Sequence, residues 1–214
     1  VMESNYDLKS MLNNINNYVL DTLNSDKVMF IMNVDEDIYC NLYGDSDKLK
    51  RAITNLISNS IKYTNVGKII LSVKQEVKDN NLSYLKFIVE DTGIGIEKEK
   101  QNEIFSKFTR IYNKETVGTE GTGLGLCLTR EIVNLLNGSI EFESTYGAGS
   151  TFIITVPQKI INDEKIGNFK LYDEKTHKIN FFDASSYKVL IVDDNKQSVS
   201  VLKRMLELYK INAD

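Results

Sequence analysis

The sequence predicts an α+β domain in which helices cover one face of a mixed, largely antiparallel sheet, followed by a short strand-helix segment. Three observations predict it. Two pairs of β-rich runs are each joined by turn-forming residues, the pattern of antiparallel hairpins. Between them lie stretches whose apolar residues recur every three or four positions, as in helices with one buried face. After Pro157, the only proline, this order dissolves and does not return until Tyr187.

Taken in order, residues 28–34 read as an apolar strand, and 46–63 as a helix with Leu49, Ile53, Leu56, Ile57 and Ile61 on its buried side. Residues 68–77 and 82–90 form the first strand pair, turned by Lys78-Asp79-Asn80-Asn81. Residues 97–108 and 123–136 read as helices, and Asn137-Gly138 stops the second in the manner of a C-terminal cap. Residues 139–144 and 150–156 make the second hairpin around Tyr146-Gly147-Ala148-Gly149. Charged and polar residues with scattered aromatics fill 158–186, which reads as a linker. Beyond it, 188–192 reads as a buried strand and 196–208 as an amphipathic helix. The expected organisation is a domain over 1–157, a linker over 158–186 and the start of a second domain over 187–214, too short to close a core alone.

Composition narrows the function. There are 26 basic and 30 acidic residues, and none of the Lys and Arg are massed into the basic face that a nucleic acid selects. Apolar runs such as 28–32 and 152–156 fall far short of the roughly 20 residues that cross a bilayer. The first residues lack the basic-then-apolar pattern of a signal peptide, so the expected location is the cytoplasm, with no nucleic acid and no membrane contact. Cys40 and Cys127 are isolated thiols without metal-ligand spacing, which fits a reducing compartment and a role as small apolar fillers.

Chemistry enters at the glycines. Asp91-Thr92-Gly93-Ile94-Gly95-Ile96 follows a strand directly. Glycine there lets the backbone approach a ligand closely, and a single carboxylate at the strand end can accept a hydrogen bond from an exocyclic amine. Gly121-Thr122-Gly123-Leu124-Gly125-Leu126 opens a helix, where N–H groups and the positive end of the dipole suit a phosphate. No Gly-Lys-Ser/Thr follows, so it is not a P-loop. On the helix over 46–63, Asn55, Asn59 and Lys62 fall at spacings of four and three, near one face. Amides beside a lysine suit a hard cation and a phosphate together.

These segments together resemble the catalytic domain of sensor histidine kinases, within the GHKL ATPase superfamily that also holds DNA gyrase and a heat-shock chaperone. Asn55-Leu56-Ile57-Ser58-Asn59-Ser60-Ile61-Lys62-Tyr63-Thr64 resembles the N box, Asp91 to Ile96 the G1 box, Ile104-Phe105-Ser106-Lys107-Phe108 the F box, and Gly121 to Leu126 the G2 box. The resemblance covers 8–157 and implies the two-layer α/β sandwich of that superfamily, with ATP and Mg²⁺ as cofactors. By it, Asn59 would ligate Mg²⁺, Asn55 would support the metal and phosphate site, and Lys62, Tyr63 and Arg110 would contact the nucleotide. Asp91 would read the adenine amine, with Gly93, Gly95 and Ile96 beside it. Gly121, Thr122, Gly123, Leu124, Gly125 and Leu126 would hold the phosphates. Thr151 would help hold adenine, and residues 114–120 would form a mobile lid.

The implied reaction is transfer of the ATP γ-phosphoryl group to a histidine on a dimerisation domain. His177, the only histidine, lacks the acidic neighbour of the acceptor motif, so the acceptor is expected outside this chain. Residues 6–12 resemble the segment that leads from the dimerisation helices. Relatives that hydrolyse ATP carry a glutamate base at the start of the N box, where Asn55 cannot take a proton. A second resemblance, of Val189-Leu190-Ile191-Val192-Asp193-Asp194-Asn195 to the first strand of a response-regulator receiver, implies a hybrid kinase. It makes Asp193 and Asp194 part of an incomplete Mg²⁺ site. The implied partners are the dimerisation domain and a downstream receiver, in a phosphorelay of a membrane-associated sensor. This chain alone is expected to be a monomer and its parent a homodimer.

Overall fold

Asp45 fixes the start of the longest helix among the described residues. In the computed structural model, which describes residues 1–23, 25, 27–78, 81–106, 124–169, 188–191, 203, 206 and 211, the Asp45 side chain accepts the Lys48 N–H at 3.0 Å. That satisfies a donor that a helix N-terminus otherwise leaves open. The helix α2 (Ser46–Tyr63) then turns Leu49, Ala52, Ile53, Leu56, Ile57 and Ser60 inward, on the stripe its sequence predicts. Asp7 plays the same part for α1 (Leu8–Thr22), accepting the Ser10 N–H at 2.7 Å, and Leu8, Met11, Leu12, Ile15 and Val19 are buried along it. The third helix, α3 (Gly125–Leu135), ends with Asn137 at φ 55° and the Gly138 N–H on the Val133 carbonyl at 2.9 Å. This is the left-handed cap that Asn137-Gly138 announces.

The strands are β1 (Ser4–Asp7), β2 (Val28–Val34), β3 (Asn41–Gly44), β4 (Gly67–Val77), β5 (Leu82–Asp91), β6 (Ser139–Thr145) and β7 (Gly149–Ile160). They form one sheet in the order β1-β3-β7-β5-β4-β2, with β6 alongside β7. Among the described residues only β2 with β4 is parallel. The other pairings are antiparallel. Alternation sends Leu71, Val73, Leu85, Phe87, Val89, Phe152, Ile154 and Val156 to one core with the buried stripes of the helices. At about 1.5–3 kcal/mol for each large apolar side chain removed from water, this shared core is the main stabilising contribution. The expected mixed, largely antiparallel sheet is present, and among the described residues no helix is long and apolar enough to cross a membrane.

Several boundaries differ from expectation. β7 runs through Pro157 to Ile160, and the chain after it returns to the domain. The Ile166 N–H bonds the Ile38 carbonyl at 2.7 Å, the Cys40 N–H bonds the Glu164 carbonyl at 2.9 Å, and Ile166 is buried. The edge of β7 away from β5 pairs with β6 up to Thr155 and with β3 from Lys159. Pro157 sits in the gap between them, where a residue without an N–H is tolerated. The chain divides into compact units Val1–Leu171 and Tyr172–Asp214, so the stretch 158–169 belongs with the first unit. The helix expected over 97–108 is a 3₁₀ helix, Lys98–Glu103, because that polar run buries nothing and cannot hold a longer helix. Residues 107–108 lie outside the described residues.

In the second unit, the buried strand expected at 188–192 is not seen among the described residues. Val189 forms only a bridge and Leu190 is 75% exposed. Strands of that apolar kind need cover on both faces. Lys203 and Leu206 are helical, within the helix expected over 196–208.

Candidate functional site

Three chain segments converge at one end of the sheet. The first is the C-terminal half of α2. It ends because Thr64 leaves the helix in an extended conformation, φ −112° and ψ 103°. This releases the Tyr63 carbonyl to accept the Ile94 N–H at 3.1 Å. The Lys62 ammonium lies 5.1 Å from the centre of the Tyr63 ring. Asn55 is half-buried, and its Nδ2 is fully buried without a hydrogen-bond partner among the described residues. The Thr64 Oγ1 is in the same position, and Thr64 itself is only 3% exposed.

The second segment is the end of β5. Asp91 is buried on the helix-facing side, where its carboxylate accepts the Gly93 N–H at 2.9 Å and the Ser60 hydroxyl at 3.1 Å. Burial pushes this carboxyl up, with a smaller push from Glu90. The bonds from Gly93, Ser60 and the Ser150 backbone pull it down without cancelling the rise. Any side chain at Gly93 would strike the Tyr63 carbonyl, so glycine is what lets the loop close on α2. Gly95 adopts φ 66° against the Thr145 carbonyl. The Ile96 N–H binds the Ser144 Oγ at 2.8 Å, and the Gln101 amide holds the Ile96 and Ser144 carbonyls at 3.0 Å each. The loop after β5 is thereby fastened to the β6–β7 turn, a link the Gly147 N–H strengthens by bonding the Ile94 carbonyl at 2.7 Å.

The third segment is the start of α3. Leu124 occupies the cap position without a side-chain hydrogen bond, so its side chain satisfies none of the first-turn N–H groups. A methyl placed on Gly125 would lie 3.9 Å from Nδ2 and 4.0 Å from Oδ1 of Asn59. Asn59 therefore faces the helix N-terminus across a gap that a methyl group would just fill. Leu126 packs against the core.

Asn55, Asn59, Lys62, Tyr63, Asp91, Gly93, Gly95, Ile96, Leu124, Gly125 and Leu126 thus fall on these three segments. Thr151 does not reach the Asp91 carboxylate. It pairs with Glu90, while Ser150 pairs with Asp91, and strand alternation puts Thr151 on the face away from the helices. Ser150, buried and bonded through Oγ to the Ser144 Oγ at 3.0 Å, is the β7 residue that shares the site. Counting back by two from Phe152 would have found it. Ser60 was also legible, as a polar residue in an otherwise apolar helix stripe. Arg110, Gly121, Thr122, Gly123, the expected lid 114–120, His177, Asp193 and Asp194 lie outside the described residues.

The family model for histidine kinase-, DNA gyrase B- and HSP90-like ATPases matches residues 44–160, more than half of the chain. The chain belongs to that family. Relatives of this ATPase domain include Hybrid signal transduction histidine kinase B of Dictyostelium discoideum, 40% identical over 129 residues, which span 60% of this chain and 7% of that protein. Another is Sensor histidine kinase AtsR of Burkholderia thailandensis, 31% identical over 170 residues, 79% of this chain and 27% of that protein. The chain thus spans only a minor part of these relatives. The structure of full-length ShkA in complex with AMPPNP has the same fold, with TM-score 0.64 and 17% identity over 100% of this chain and 40% of that one. The N-box, G1 and α3 residues above all lie inside the matched span of the ATPase domain, whereas α1 and the returning segment around Ile166 lie outside it.

Proposed function

We propose that this chain is the ATP-binding catalytic domain of a hybrid sensor histidine kinase. In the proposed reaction the bond between the γ-phosphorus and its bridging oxygen breaks, a phosphorus–nitrogen bond forms to a histidine on a dimerisation domain outside this chain, and ADP leaves. The observation that carries the reading is the meeting of Asn59 with the N-terminus of α3, 3.9 Å from a methyl position on Gly125, while Asp91 sits buried at the end of β5. Positive helix-end charge and a lysine suit phosphates, and the buried carboxylate suits an adenine amine.

The residues also fit Mg²⁺. Carboxamide oxygens are hard donors, Asn59 stands where the phosphates would enter, and the unpaired Asn55 Nδ2 is an N–H donor that suits a phosphate oxygen beside the ion. Asn59 would hold the ion and Asn55 would support it. When bound with ATP, the ion offsets phosphate charge during transfer. Lys62 would add positive charge, Tyr63 would lie along the nucleotide, and the Gly93 and Gly95 backbone would let the base approach the strand end. Asn55 disfavours a hydrolase, because an amide cannot act as a general base toward water.

Calorimetric titration with Mg²⁺ and a non-hydrolysable ATP analogue tests this, using Asp91→Asn, Asn59→Ala and a competing GTP analogue. Micromolar binding that prefers adenine and is lost in both variants is expected. Rapid multiple-turnover hydrolysis without an acceptor domain would overturn the kinase reading. Onward transfer to a receiver, with Asp193 and Asp194 binding Mg²⁺, is part of the same proposal.

A further inference from the structure

β2 ends the sheet on one side, paired with β4 and, among the described residues, with no strand beyond it. The bonds at its two ends show which way its backbone groups point. The Lys27 carbonyl accepts the Gly67 N–H at 3.0 Å, and the Asp35 N–H bonds the Val73 carbonyl at 3.2 Å. A strand residue turns its N–H and C=O to the same side, and successive residues alternate. The odd-numbered residues of β2 therefore bond β4, while Phe30, Met32 and Val34 turn both groups to the open edge. Such edges are ordinarily blunted by charge, proline or a bulge. The β6 edge carries Glu141 and Glu143. β2 reads Val-Met-Phe-Ile-Met-Asn-Val, without charge or proline, and Met29 is 63% exposed. An edge of this kind is a template for another strand.

The residues flanking β2 decide which strand. We infer that β2 pairs antiparallel with β2 of a second copy of this chain, about a two-fold axis at Ile31. In that register Phe30 faces the partner's Met32 and the two exchange backbone hydrogen bonds, Val28 faces the partner's Val34, and Ile31 meets the partner's Ile31. Phe30 and Met32 already pack against the helix-side core, so the join extends that core through two sulfur–aromatic contacts. Just outside the strand, Lys27 meets the partner's Asp35, and symmetry repeats this opposite-charge pair at the other end. Both residues are exposed, and neither is in an ion pair among the described residues. A register shifted by two residues keeps the backbone bonding pattern but parts this pair. Each edge consumes the other, so assembly stops at a dimer. This departs from the monomer expected from the sequence, in which nothing marks the strand that stands at an edge. An edge of 7 residues buries less than the about 1,200 Å² of a standard interface, so the dimer is weak and concentration-dependent.

Sedimentation velocity of the whole chain across concentration tests the pairing, and cysteine cross-linking tests its register. Wild type should dimerise with a micromolar dissociation constant. Lys27→Glu and Asp35→Lys should each weaken the dimer roughly tenfold, because the axis makes each substitution act twice, and the double swap should restore it. Under mild oxidation Ile31→Cys should form a covalent dimer, since the pair at the axis is a non-hydrogen-bonded one with Cα atoms about 4.5 Å apart. Met29→Cys, at a more exposed position, should not. A wild type that stays monomeric up to about 1 mM would overturn the inference and leave the edge to a strand of another protein. Single swaps without effect, or cross-linking of Met29→Cys as readily as of Ile31→Cys, would overturn it as well.

Discussion

Gly93 and Gly125 stand in similar sequence patterns for different physical reasons. At Gly93 a β-carbon would meet the Tyr63 carbonyl, a backbone atom that cannot swing away. At Gly125 the nearest atoms are the Asn59 amide at 3.9 Å and 4.0 Å, ordinary contact distances. Gly93→Ala should therefore destabilise the domain by roughly 1–3 kcal/mol, the usual range for forced overpacking. Gly125→Ala should leave stability unchanged or raise it by up to about 1 kcal/mol through helix propensity. Urea unfolding of the two variants checks this, and equal losses would contradict it. Each glycine was legible in the sequence as a member of a motif, but its reason was not, because the obstructing atom at Gly93 belongs to Tyr63, at a helix end far earlier in the chain. Thr64, at the end of the N-box string, shows no role in sequence for the same kind of reason. Nothing local reveals that a hydroxyl lacks a partner.

Among the elements, the helices were the most legible where a cap residue and an apolar stripe agree. α2 spans the residues its periodicity marks, and Asp45 supports it more strongly than a usual cap. Besides the Lys48 N–H, its carboxylate accepts the Met2 N–H at 2.7 Å and the Lys48 ammonium at 2.9 Å. Burial pushes the Asp45 carboxyl up, but the bonds from Met2 and Lys48 outweigh it and hold the group below its ordinary value. A depressed carboxyl contributes stability that is complete above the unfolded-state value and lost as pH falls through the folded one. Asp45→Ala should thus cost about 1–2 kcal/mol near neutral pH, and the gap from wild type should close on acidification below the ordinary carboxylate range. Chemical denaturation across pH measures it, and a gap that widened in acid would refute the assignment. Asp91 has the opposite sign, because its raised carboxyl favours the folded state at low pH and loses that contribution as pH rises. The elements that escaped the sequence reading were β1 and β3, four residues each and too short to show a period of two, and α1, whose stripe is broken by Asn16 in a buried position.

For the whole molecule, the two-layer arrangement followed from patterning, while its limit at the C-terminal side did not. Proline is a strand breaker in most contexts, so Pro157 suggested a boundary. The sheet accepts it only because β6 and β3 leave that stretch of the β7 edge open, a property of three strands together. A chain shortened to residues 1–157 loses the pairing of Ile160 and Lys159 with β3 and exposes the pocket that Ile166 fills. It should melt well below one ending at residue 169, since Ile166 alone represents about 1.5–3 kcal/mol of apolar burial. Differential scanning calorimetry of the two lengths decides it, and equal melting would show that the returning segment adds nothing. The order of strands also bears on how the molecule assembles. β4 with β5, and β6 with β7, are neighbours in sequence, so each hairpin closes a short loop. Joining β5 to β7 requires ends separated by the whole of 92–149 to meet, a slower event with a larger entropic barrier. Asp91 and Ser150 face each other across that join. A folding chain can therefore possess both hairpins and still have no site, which comes into being only when the two halves of the sheet close.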